Sequence, residues 1–283
     1  MLKNYKFDLI ISKFLTKNKL KNILIKKKIN VIYNFAAKFN GKKKLLYKTN
    51  YLLTINILDA IIQCNKKIKL INANSSSIFG NSKNIDINKF SPSTYYALTK
   101  LYSFLYSRFY RIFYKLPVYN MILFNHTSEY QKNFFFIKKI ICHLLKFKRN
   151  RIKKTLLIGN LNSLRDWSYA KDIVKTCIKI SNNEEPNDYF INSQNKISNR
   201  KILKIILKKI NIKYYIIKKN KKINYYSDNG RVILSSIEKF YRDNDYEILS
   251  KSNSSSFKNN PHHRHFMVPS KIIDCILKNY RLS

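Results

Sequence analysis

Glycine, proline and acidic residues are scarce in this sequence. Of its 283 residues, 4 are Gly, 5 are Pro and 15 are Asp or Glu, and the glycines stand far apart at positions 41, 80, 159 and 230. This spacing excludes a glycine-rich phosphate-binding turn, which needs two or three glycines within about six residues. The low Gly and Pro content also excludes collagen-like and low-complexity chains, and a hydrophobic share of 45% is typical of a globular protein.

Paired cysteines and long apolar runs are also lacking. Cys64, Cys142, Cys177 and Cys275 form no C-x-x-C pair and no arrangement with histidine that is typical of a metal cluster. No apolar run approaches the roughly 20 residues of a membrane span, and the first residues show no apolar segment typical of a secretion signal. We therefore expect a soluble cytoplasmic protein without a metal or a membrane partner. The His-rich run 261–265 is interpreted as a solvated loop.

Positive charge is in large excess, because 56 Lys and Arg against 15 Asp and Glu give a formal net charge of +41. Two explanations stay open. A basic surface can bind nucleic acid, whereas an AT-rich coding sequence drifts toward Lys, Asn, Ile and Tyr. The lysines are spread along the whole chain, and arginine, which nucleic-acid sites favour, is scarce. We expect no specific nucleic-acid partner, only salt-sensitive attraction to polyanions.

Short runs of β-branched and aromatic residues alternate with longer amphipathic stretches. This alternation predicts an α/β fold, a doubly wound parallel sheet that binds its ligand at the carboxyl ends of the strands. The predicted strands are Lys6–Ile11, Asn30–Phe35, Ile68–Asn74, Pro117–Phe124, Thr155–Ile158 and Tyr189–Ile191. The predicted helices are Lys17–Lys28, Asn50–Cys64, Tyr95–Tyr114 and Tyr169–Ser181. The pattern changes after about Ser193, which indicates a smaller second domain.

A Tyr-x-x-x-Lys pair, Tyr96 and Lys100, lies on one predicted helix. The spacing places the phenol and the ammonium one turn apart on the same face, where the lysine can lower the pKa of the tyrosine and make it a base near neutral pH. The pair alone is weak evidence, because the chain has 21 Tyr. Upstream, Ser75 stands at the end of a predicted strand, in a Ser-Ser-Ser-Ile-Phe-Gly run. This order resembles the active site of short-chain dehydrogenase/reductases, in which a Ser hydrogen-bonds the hydroxyl that the Tyr deprotonates.

Longer blocks narrow the resemblance to one family. Residues 159–172 read Gly-Asn-Leu-Asn-Ser-Leu-Arg-Asp-Trp-Ser-Tyr-Ala-Lys-Asp, which is similar almost residue for residue to a run of the GDP-mannose 4,6-dehydratases and holds the only Trp of the chain. Shorter similar blocks are Ile32–Ala37, Ile122–His126, Gly230–Ile233 and Lys239–Arg242. The sequence is therefore identified as a member of this extended short-chain dehydrogenase/reductase family over most of residues 6–250.

The resemblance implies an NADP-dependent enzyme that oxidises C4 of GDP-mannose, eliminates water across C5 and C6, and returns the hydride to C6. It implies that Tyr96 is the base at the C4 hydroxyl, that Lys100 binds the cofactor ribose and that Ser75 polarises the substrate. Further cofactor contacts are implied for Asp8, Leu9, Phe35, Ala36, Ala37 and His126. Substrate contacts are implied for Asn125, Arg165 and Arg242, of which the two arginines would hold the diphosphate. A homo-oligomer, a dimer or a tetramer, is implied as well.

Departures from the family follow from the same comparison. The resemblance implies a Rossmann-like sheet that begins near the family's third strand and misses the first βα unit or units with the Gly-rich turn. Residues 1–193 would form this NADP-binding part, and 194–283 a smaller α+β nucleotide-sugar-binding part, interleaved with segments around 126–168. Ser77 stands where the family has the Glu that handles the C5 proton, and Tyr130 and Gln131 stand where it has an Arg pair. A hydroxyl has no useful basicity near pH 7, so we expect impaired elimination.

Three functions stay open at this point. The first is a nucleotide-sugar enzyme of the GDP-mannose 4,6-dehydratase type. The second is a non-catalytic remnant or a pseudoenzyme that binds a sugar nucleotide, which the missing Gly-rich turn and Ser77 favour. The third is an NAD(P)-dependent nucleotide-sugar epimerase or reductase, which needs the chemistry at C4 but no Glu. The presence of Ser75, Tyr96 and Lys100 together in a drifted sequence favours an enzyme.

Overall fold

The computed structural model of the protein describes residues 8–12, 14–80, 90–194, 196–219, 222–237 and 266–281. Its strands are β1 Val31–Asn34, β2 Lys69–Ser75, β3 Val118–Leu123, β4 His126–Thr127, β5 Leu156–Ile158, β6 Leu164–Asp166, β7 Ser168–Tyr169, β8 Asp188–Ile191, β9 Lys196–Ser198, β10 Tyr214–Lys219, β11 Lys222–Ser227 and β12 Val232–Ile237. Its helices are α1 Lys17–Lys26, α2 Lys43–Tyr47, α3 Leu53–Cys64, α4 Tyr95–Phe113, α5 Phe136–Lys148, α6 Ala170–Asn183, α7 Asn199–Ile210 and α8 Pro269–Arg281. A π-helical turn, Lys48–Leu52, leads into α3, and a 3-10 turn, Ser76–Phe79, follows β2. None of the helices in these ranges is both long and apolar enough to cross a membrane.

The first sheet is entirely parallel and has the strand order β1-β2-β3-β8. Leu70 near the start of β2 pairs with Val118 of β3, and Ser75 at its end pairs with Leu123. Parallel strands need a crossover connection, which α3 supplies between β1 and β2 and α4 supplies between β2 and β3. The carboxyl ends of the strands therefore lie at one edge of the sheet.

Helices cover both faces of this sheet. Leu70 and Val118 belong to a buried cluster that includes residues of α1, α3 and α4. Ile71 and Tyr119, one position further along each strand, belong to a cluster on the opposite face that includes residues of α6. Successive residues of a strand point to opposite faces, so a strand that is buried on both reads as a continuous apolar run. The predicted doubly wound α/β class is confirmed.

Polar side chains tie α4 to the middle of the sheet. Asn72 of β2 is fully buried and donates from Nδ2 to the hydroxyls of Ser103 and Ser107, at 3.1 and 2.9 Å. Its Oδ1 accepts a hydrogen bond of 2.9 Å from Nδ2 of Asn34 in β1. Because buried polar groups need partners, these bonds define how α4 lies along β2.

A buried ion network ties α4 to the last strand of the sheet. The carboxylate of Asp188 in β8 has a 1% exposed side chain and accepts from Nε of Arg108 and from Nη1 of Arg111, each at 2.8 Å. Nδ2 of Asn120 in β3 donates to the same carboxylate at 2.8 Å. Together with the bonds to Asn72, the network makes α4 a firmly held support for the residues at its N-terminal end.

The second sheet is mixed and has the strand order β10-β11-β12-β5. Strand β11 is antiparallel to both β10 and β12, whereas β12 and β5 are parallel. Apolar faces of α5, α7 and α8 join this sheet in one buried cluster, with Ile141, Ile206 and Ile273 fully or almost fully buried. α5 and β5 thus pack with elements that follow them by many residues in the chain. The division into parts 1–193 and 194–283 stays a prediction.

Several predictions from the sequence differ from these elements. The described part of the predicted strand Lys6–Ile11 contains no strand, and its apolar residues are exposed. β11 lies in a region that reads as polar, because only its alternate residues, such as Ile223 and Tyr225, face the interior. The predicted helices do not include α5, although its buried apolar residues recur at the three- and four-residue spacing of an amphipathic helix: Ile137, Ile140, Ile141, Leu144 and Phe147.

Candidate active site

The candidate site begins where β2 ends. Ser75 is the last residue of the strand and caps the turn that follows, because its Oγ accepts from the backbone N of Ser77 at 3.2 Å. Its Oγ also lies 2.9 Å from Oγ of Ser77. Serine is a preferred cap because its hydroxyl satisfies N–H groups that the first helical residues leave unpaired. The Ser75 hydroxyl is therefore held at the carboxyl edge of the sheet, next to Leu123 of β3.

Gly80 closes this turn and allows a close backbone approach. Its φ of +58° and ψ of −136° are rare for other residues. A Cβ at this position would lie 1.7 Å from the carbonyl oxygen of Ser91, and the backbone N of Ser91 donates to Ile78 at 3.1 Å. Only glycine fits this approach, which brings the segment that precedes α4 against the end of β2.

The N-terminal end of α4 carries Tyr96 and Lys100. Thr94 caps the helix, with Oγ1 accepting from the backbone N of Ala97 at 3.1 Å. Lys100 is buried, and its Nζ donates to the carbonyl oxygen of Ala73 in β2 at 2.7 Å. Burial lowers the pKa of Lys100 to about 8, because apolar surroundings disfavour the charged form. The structure thus brings Ser75, Tyr96 and Lys100 to the same edge of the sheet.

The pKa of the Tyr96 phenol is shifted in the direction opposite to the one that the sequence predicts. Burial raises its pKa, and hydrogen bonding to the side chain of Ser75 opposes this shift. The sequence predicts a lowered pKa because it places the ammonium of Lys100 against the phenol. In the structure that ammonium donates to the Ala73 carbonyl, and burial dominates the pKa of the phenol.

Asn50 is a site residue that the sequence does not single out. It lies in the π-helical turn before α3 and is 1% exposed. Its Oδ1 accepts from the backbone N of Lys38 at 2.7 Å, and its Nδ2 donates to the Lys38 carbonyl at 2.8 Å and to Oγ1 of Thr99 at 3.0 Å. Single π-turns are frequent at functional sites. Asn50 holds the loop after β1 against α4, one residue before Lys100, and in the sequence it is only the polar first residue of the predicted helix Asn50–Cys64.

The family model for GDP-mannose 4,6-dehydratase matches residues 3–260. The chain belongs to the GDP-mannose 4,6-dehydratase family. A relative of that name from Dictyostelium discoideum is 30% identical over 244 residues, which are 81% of this chain and 67% of the relative. Relatives from Caenorhabditis elegans and Vibrio cholerae are 29% and 31% identical over 63% and 56% of this chain. The chain spans 49% and 44% of their lengths, or about half.

Solved structures share the fold of this dehydratase family member at low identity. RMD from Pseudomonas aeruginosa, complexed with NADPH, has a TM-score of 0.68 and 13% identity, with 89% of this chain and 82% of that chain covered. A dTDP-glucose 4,6-dehydratase from Bacillus anthracis in complex with NAD has a TM-score of 0.68 and 17% identity, with 94% and 78% covered. At this identity the likeness shows the Rossmann-like α/β fold alone.

Asn125 and His126, the substrate and cofactor residues predicted after β3, lie at the same edge of the sheet as Ser75. Nδ1 of His126 is 2.9 Å from the Phe124 carbonyl oxygen, a contact that requires a hydrogen on Nδ1. The carbonyl of Asn125 accepts from the backbone N of Ser168 at 2.9 Å. Gln131, which the resemblance predicts to replace a family Arg, donates to the His126 carbonyl at 3.2 Å. In this chain Gln131 therefore stabilises the loop that follows β3.

Arg165 lies on β6, where its Nη1 donates to the Leu164 carbonyl at 3.0 Å. The next residue, Asp166, is fully buried, and its Oδ1 accepts from the backbone N and the hydroxyl of Ser193, at 3.0 and 2.9 Å. Because Ser193 follows β8, Asp166 connects β6 to the end of the first sheet. Arg242, the other predicted diphosphate ligand, and the His-rich run 261–265 lie outside the described residues.

The remaining predicted cofactor residues lie on an exposed surface. Phe35, Ala36 and Ala37 follow β1 and are all exposed. Asp8 forms an ion pair with Lys27, with 2.5 Å between Oδ2 and Nζ, and Leu9 is exposed. Their contacts with a cofactor stay predictions. The described residues include no group of three His, Cys, Asp or Glu placed to hold a metal ion.

Proposed function

We propose that this protein is a nucleotide-sugar enzyme that oxidises the C4 hydroxyl of GDP-mannose, or of a closely related nucleotide sugar, with NADP. The observation that carries the proposal is the position of Ser75, Tyr96 and buried Lys100 at one edge of the sheet. Membership of the GDP-mannose 4,6-dehydratase family supports the substrate class. Gly80 permits the close backbone approach of Ser91, which no other residue type would allow, and it thereby keeps the segment before α4 against the end of β2 that carries Ser75.

The residues around Tyr96 fit the nicotinamide half of a dinucleotide. An ammonium has three donors, and the bond to Ala73 uses one donor of Lys100, which leaves others to bind ribose hydroxyls. Ala36 and Ala37 add small, exposed side chains at the neighbouring strand end. The fit does not extend to the pyrophosphate, because the four separate glycines form no phosphate-binding turn. When bound, the cofactor would supply an acceptor for the hydride on C4 of the sugar, and a positively charged ring that favours the phenolate form of Tyr96.

The chain's own residues account for the proton chemistry at C4. Tyr96 takes the proton of the C4 hydroxyl, and the hydroxyl of Ser75 hydrogen-bonds the same oxygen and orients it. Lys100 stays protonated below its pKa of about 8 and keeps a positive charge beneath this end of α4. A positioned general base of this kind contributes about 10²–10⁴-fold to a rate.

Elimination of water needs a base for the C5 proton, and Ser77 stands at the position of the family Glu. Its hydroxyl lies 2.9 Å from that of Ser75, so a carboxylate on residue 77 would lie beside the same hydroxyl. A serine hydroxyl has no useful basicity near neutral pH. We therefore propose C4 oxidation and reduction as the main chemistry, which the epimerase or reductase alternative shares.

Purified protein given GDP-mannose and NADP is expected to form reduced nicotinamide faster than a 4-keto-6-deoxy sugar. The variant Ser77→Glu is expected to raise the rate of the deoxy product by about 10²-fold or more, the range of a general base. Ser77→Gln has a similar size without basicity and serves as the control. Absorbance of reduced nicotinamide and chromatography of the sugar nucleotides measure the two steps. A wild type that forms the deoxy sugar as fast as Ser77→Glu would contradict the role of residue 77, and no reduction in any variant would favour a non-catalytic protein.

We also propose that two copies associate through α4. This helix of 19 residues, about 28 Å long, exposes six large apolar side chains at intervals of three and four: Tyr102, Leu105, Tyr106, Phe109, Ile112 and Phe113. Tyr51 extends the stripe, with ring centroids 5.6 and 5.3 Å from those of Tyr102 and Tyr106. A stripe with this spacing suits helix–helix packing. A second copy offers the same stripe in a two-fold arrangement.

The double variant Phe109→Glu/Phe113→Glu is expected to convert the dimer to a monomer, because it places charges in the apolar contact. Light scattering after size-exclusion chromatography measures the mass of each species, and circular dichroism checks the fold. Val174→Glu/Ile178→Glu is the matched control, since these residues are also exposed one turn apart, on α6. A monomeric wild type, or a monomeric control, would count against the α4 interface.

A further inference from the structure

An aromatic cluster lies against the phenol of Tyr96. The ring of Phe39, in the loop after β1, has its centroid 5.2 Å from that of Tyr96 at an interplanar angle of 58°. The same ring is 6.2 Å from Phe135, whose ring stacks on Phe134 at 4.4 Å. Aromatic centroids in this range are in contact. Two loops distant in sequence thus place phenyl rings around one end of α4.

Hydrogen bonds to the neighbouring backbone hold Phe39 in position. Asn50 bonds both the N–H and the carbonyl of Lys38, at 2.7 and 2.8 Å, and through Thr99 it also contacts α4. Both backbone polar groups of the residue before Phe39 are therefore held in place, close to the helix that carries Tyr96. This support leaves the phenyl ring itself largely uncovered, since Phe39 is 61% exposed.

An exposed phenyl ring held beside a titratable phenol suits a ligand that offers an apolar face next to a hydroxyl group. A phenyl group offers apolar contact and a π-face but no hydrogen-bond partner, so it accepts the C–H side of a ring and disfavours a buried hydroxyl. A pyranose whose C4 hydroxyl reaches Tyr96 brings its ring within reach of this face. The guanosine and the diphosphate lie further along the nucleotide sugar.

We infer that Phe39 is a specificity-determining residue that packs against the hexose ring of the nucleotide sugar and is itself in contact with the ring of Phe135. This inference rests on the proposed function. Phe39 selects the sugar and leaves the nucleotide to other residues. Removal of the ring therefore weakens binding of GDP-mannose without weakening binding of GDP.

Calorimetric titration of wild type and Phe39→Ala with GDP-mannose and with GDP, each with NADP present, tests the inference. Phe39→Ala is expected to weaken GDP-mannose binding about tenfold, which corresponds to about 1.4 kcal/mol, and to leave GDP binding within about twofold. Phe39→Tyr is expected to restore GDP-mannose binding. Phe134→Ala is the matched control, because Phe134 is similarly exposed but contacts Phe135 instead of Tyr96. In turnover assays, the KM should rise while kcat changes little.

The outcomes separate this inference from the proposed function. A wild type that binds neither GDP-mannose nor GDP overturns both. A wild type that binds both, with Phe39→Ala unchanged, overturns the inference alone. Equal losses for GDP and GDP-mannose, or an equal effect of Phe134→Ala, would also overturn it, because each indicates a role other than contact with the sugar.

Discussion

Tyr96→Phe is expected to lower the rate of C4 oxidation by about 10²–10⁴-fold, the contribution of a positioned general base. The substitution removes one oxygen and keeps the ring that packs against Phe39. Binding of GDP-mannose and NADP should therefore stay within a few fold of wild type. Initial rates of nicotinamide reduction and the calorimetric affinities measure the two effects. Tyr95→Phe is the matched control, because it makes the same change at the adjacent position of α4.

The pH dependence gives a second test of the same residue. Burial raises the pKa of the Tyr96 phenol, so at neutral pH the reactive phenolate is the minor form, and its fraction grows as pH rises toward that pKa. The rate is therefore expected to increase with pH between about pH 6 and about pH 8 in wild type and in Tyr95→Phe, because Lys100 loses its positive charge above its pKa of about 8. The residual rate of Tyr96→Phe should lack this increase. An unchanged profile in Tyr96→Phe would assign the base to another group.

Asp188→Ala is expected to destabilise the protein by about 3–5 kcal/mol, the range for breaking a buried ion pair from one side. The substitution leaves Arg108 and Arg111, whose side chains are 22% and 13% exposed, without the carboxylate between them. It also removes the acceptor of the Asn120 side chain. Because the network joins α4 to β8, the loss should appear as a lower free energy of unfolding in a urea titration.

Asp274→Ala is the control for this prediction. Its carboxylate pairs with Lys209 at 2.6 Å, but the side chain of Asp274 is 58% exposed. Exposed pairs contribute less than about 1 kcal/mol, because water and salt screen them and two side chains lose freedom. Equal unfolding midpoints for the two variants would show that burial adds nothing to the Asp188 network. An intermediate loss in Asp188→Asn is expected, since an amide keeps part of the hydrogen bonding without the charge.

The site was predictable from sequence where its residues follow local rules. Tyr96 and Lys100 share a helix face because they are four residues apart, and Ser75 ends an apolar strand. The longer block 159–172 identified the family, which the family model confirms. The pKa of Tyr96 was not predictable, since its direction depends on the balance between burial of the phenol and its hydrogen bond with Ser75.

Asn50 and Phe39 show where prediction from sequence ended. In the sequence Asn50 is a polar residue at the start of a predicted helix, and its role appears only when the loop after β1 lies against α4. Phe39 reads as an ordinary apolar residue of a loop. Their functions depend on contacts between segments separated by about fifty residues, and such contacts leave no periodic signal in the chain.

The sequence by itself determined the alternation of strands and helices and the family. Its four separate glycines also determined that it forms no glycine-rich phosphate-binding turn. Apolar spacing and short motifs encode these features locally. Only the tertiary structure decided that β11 belongs to a sheet, that α5 and β5 pack with later elements, and that an aromatic ring faces Tyr96. The physical reason is that burial and hydrogen bonding between distant segments, and not local preference, select these arrangements.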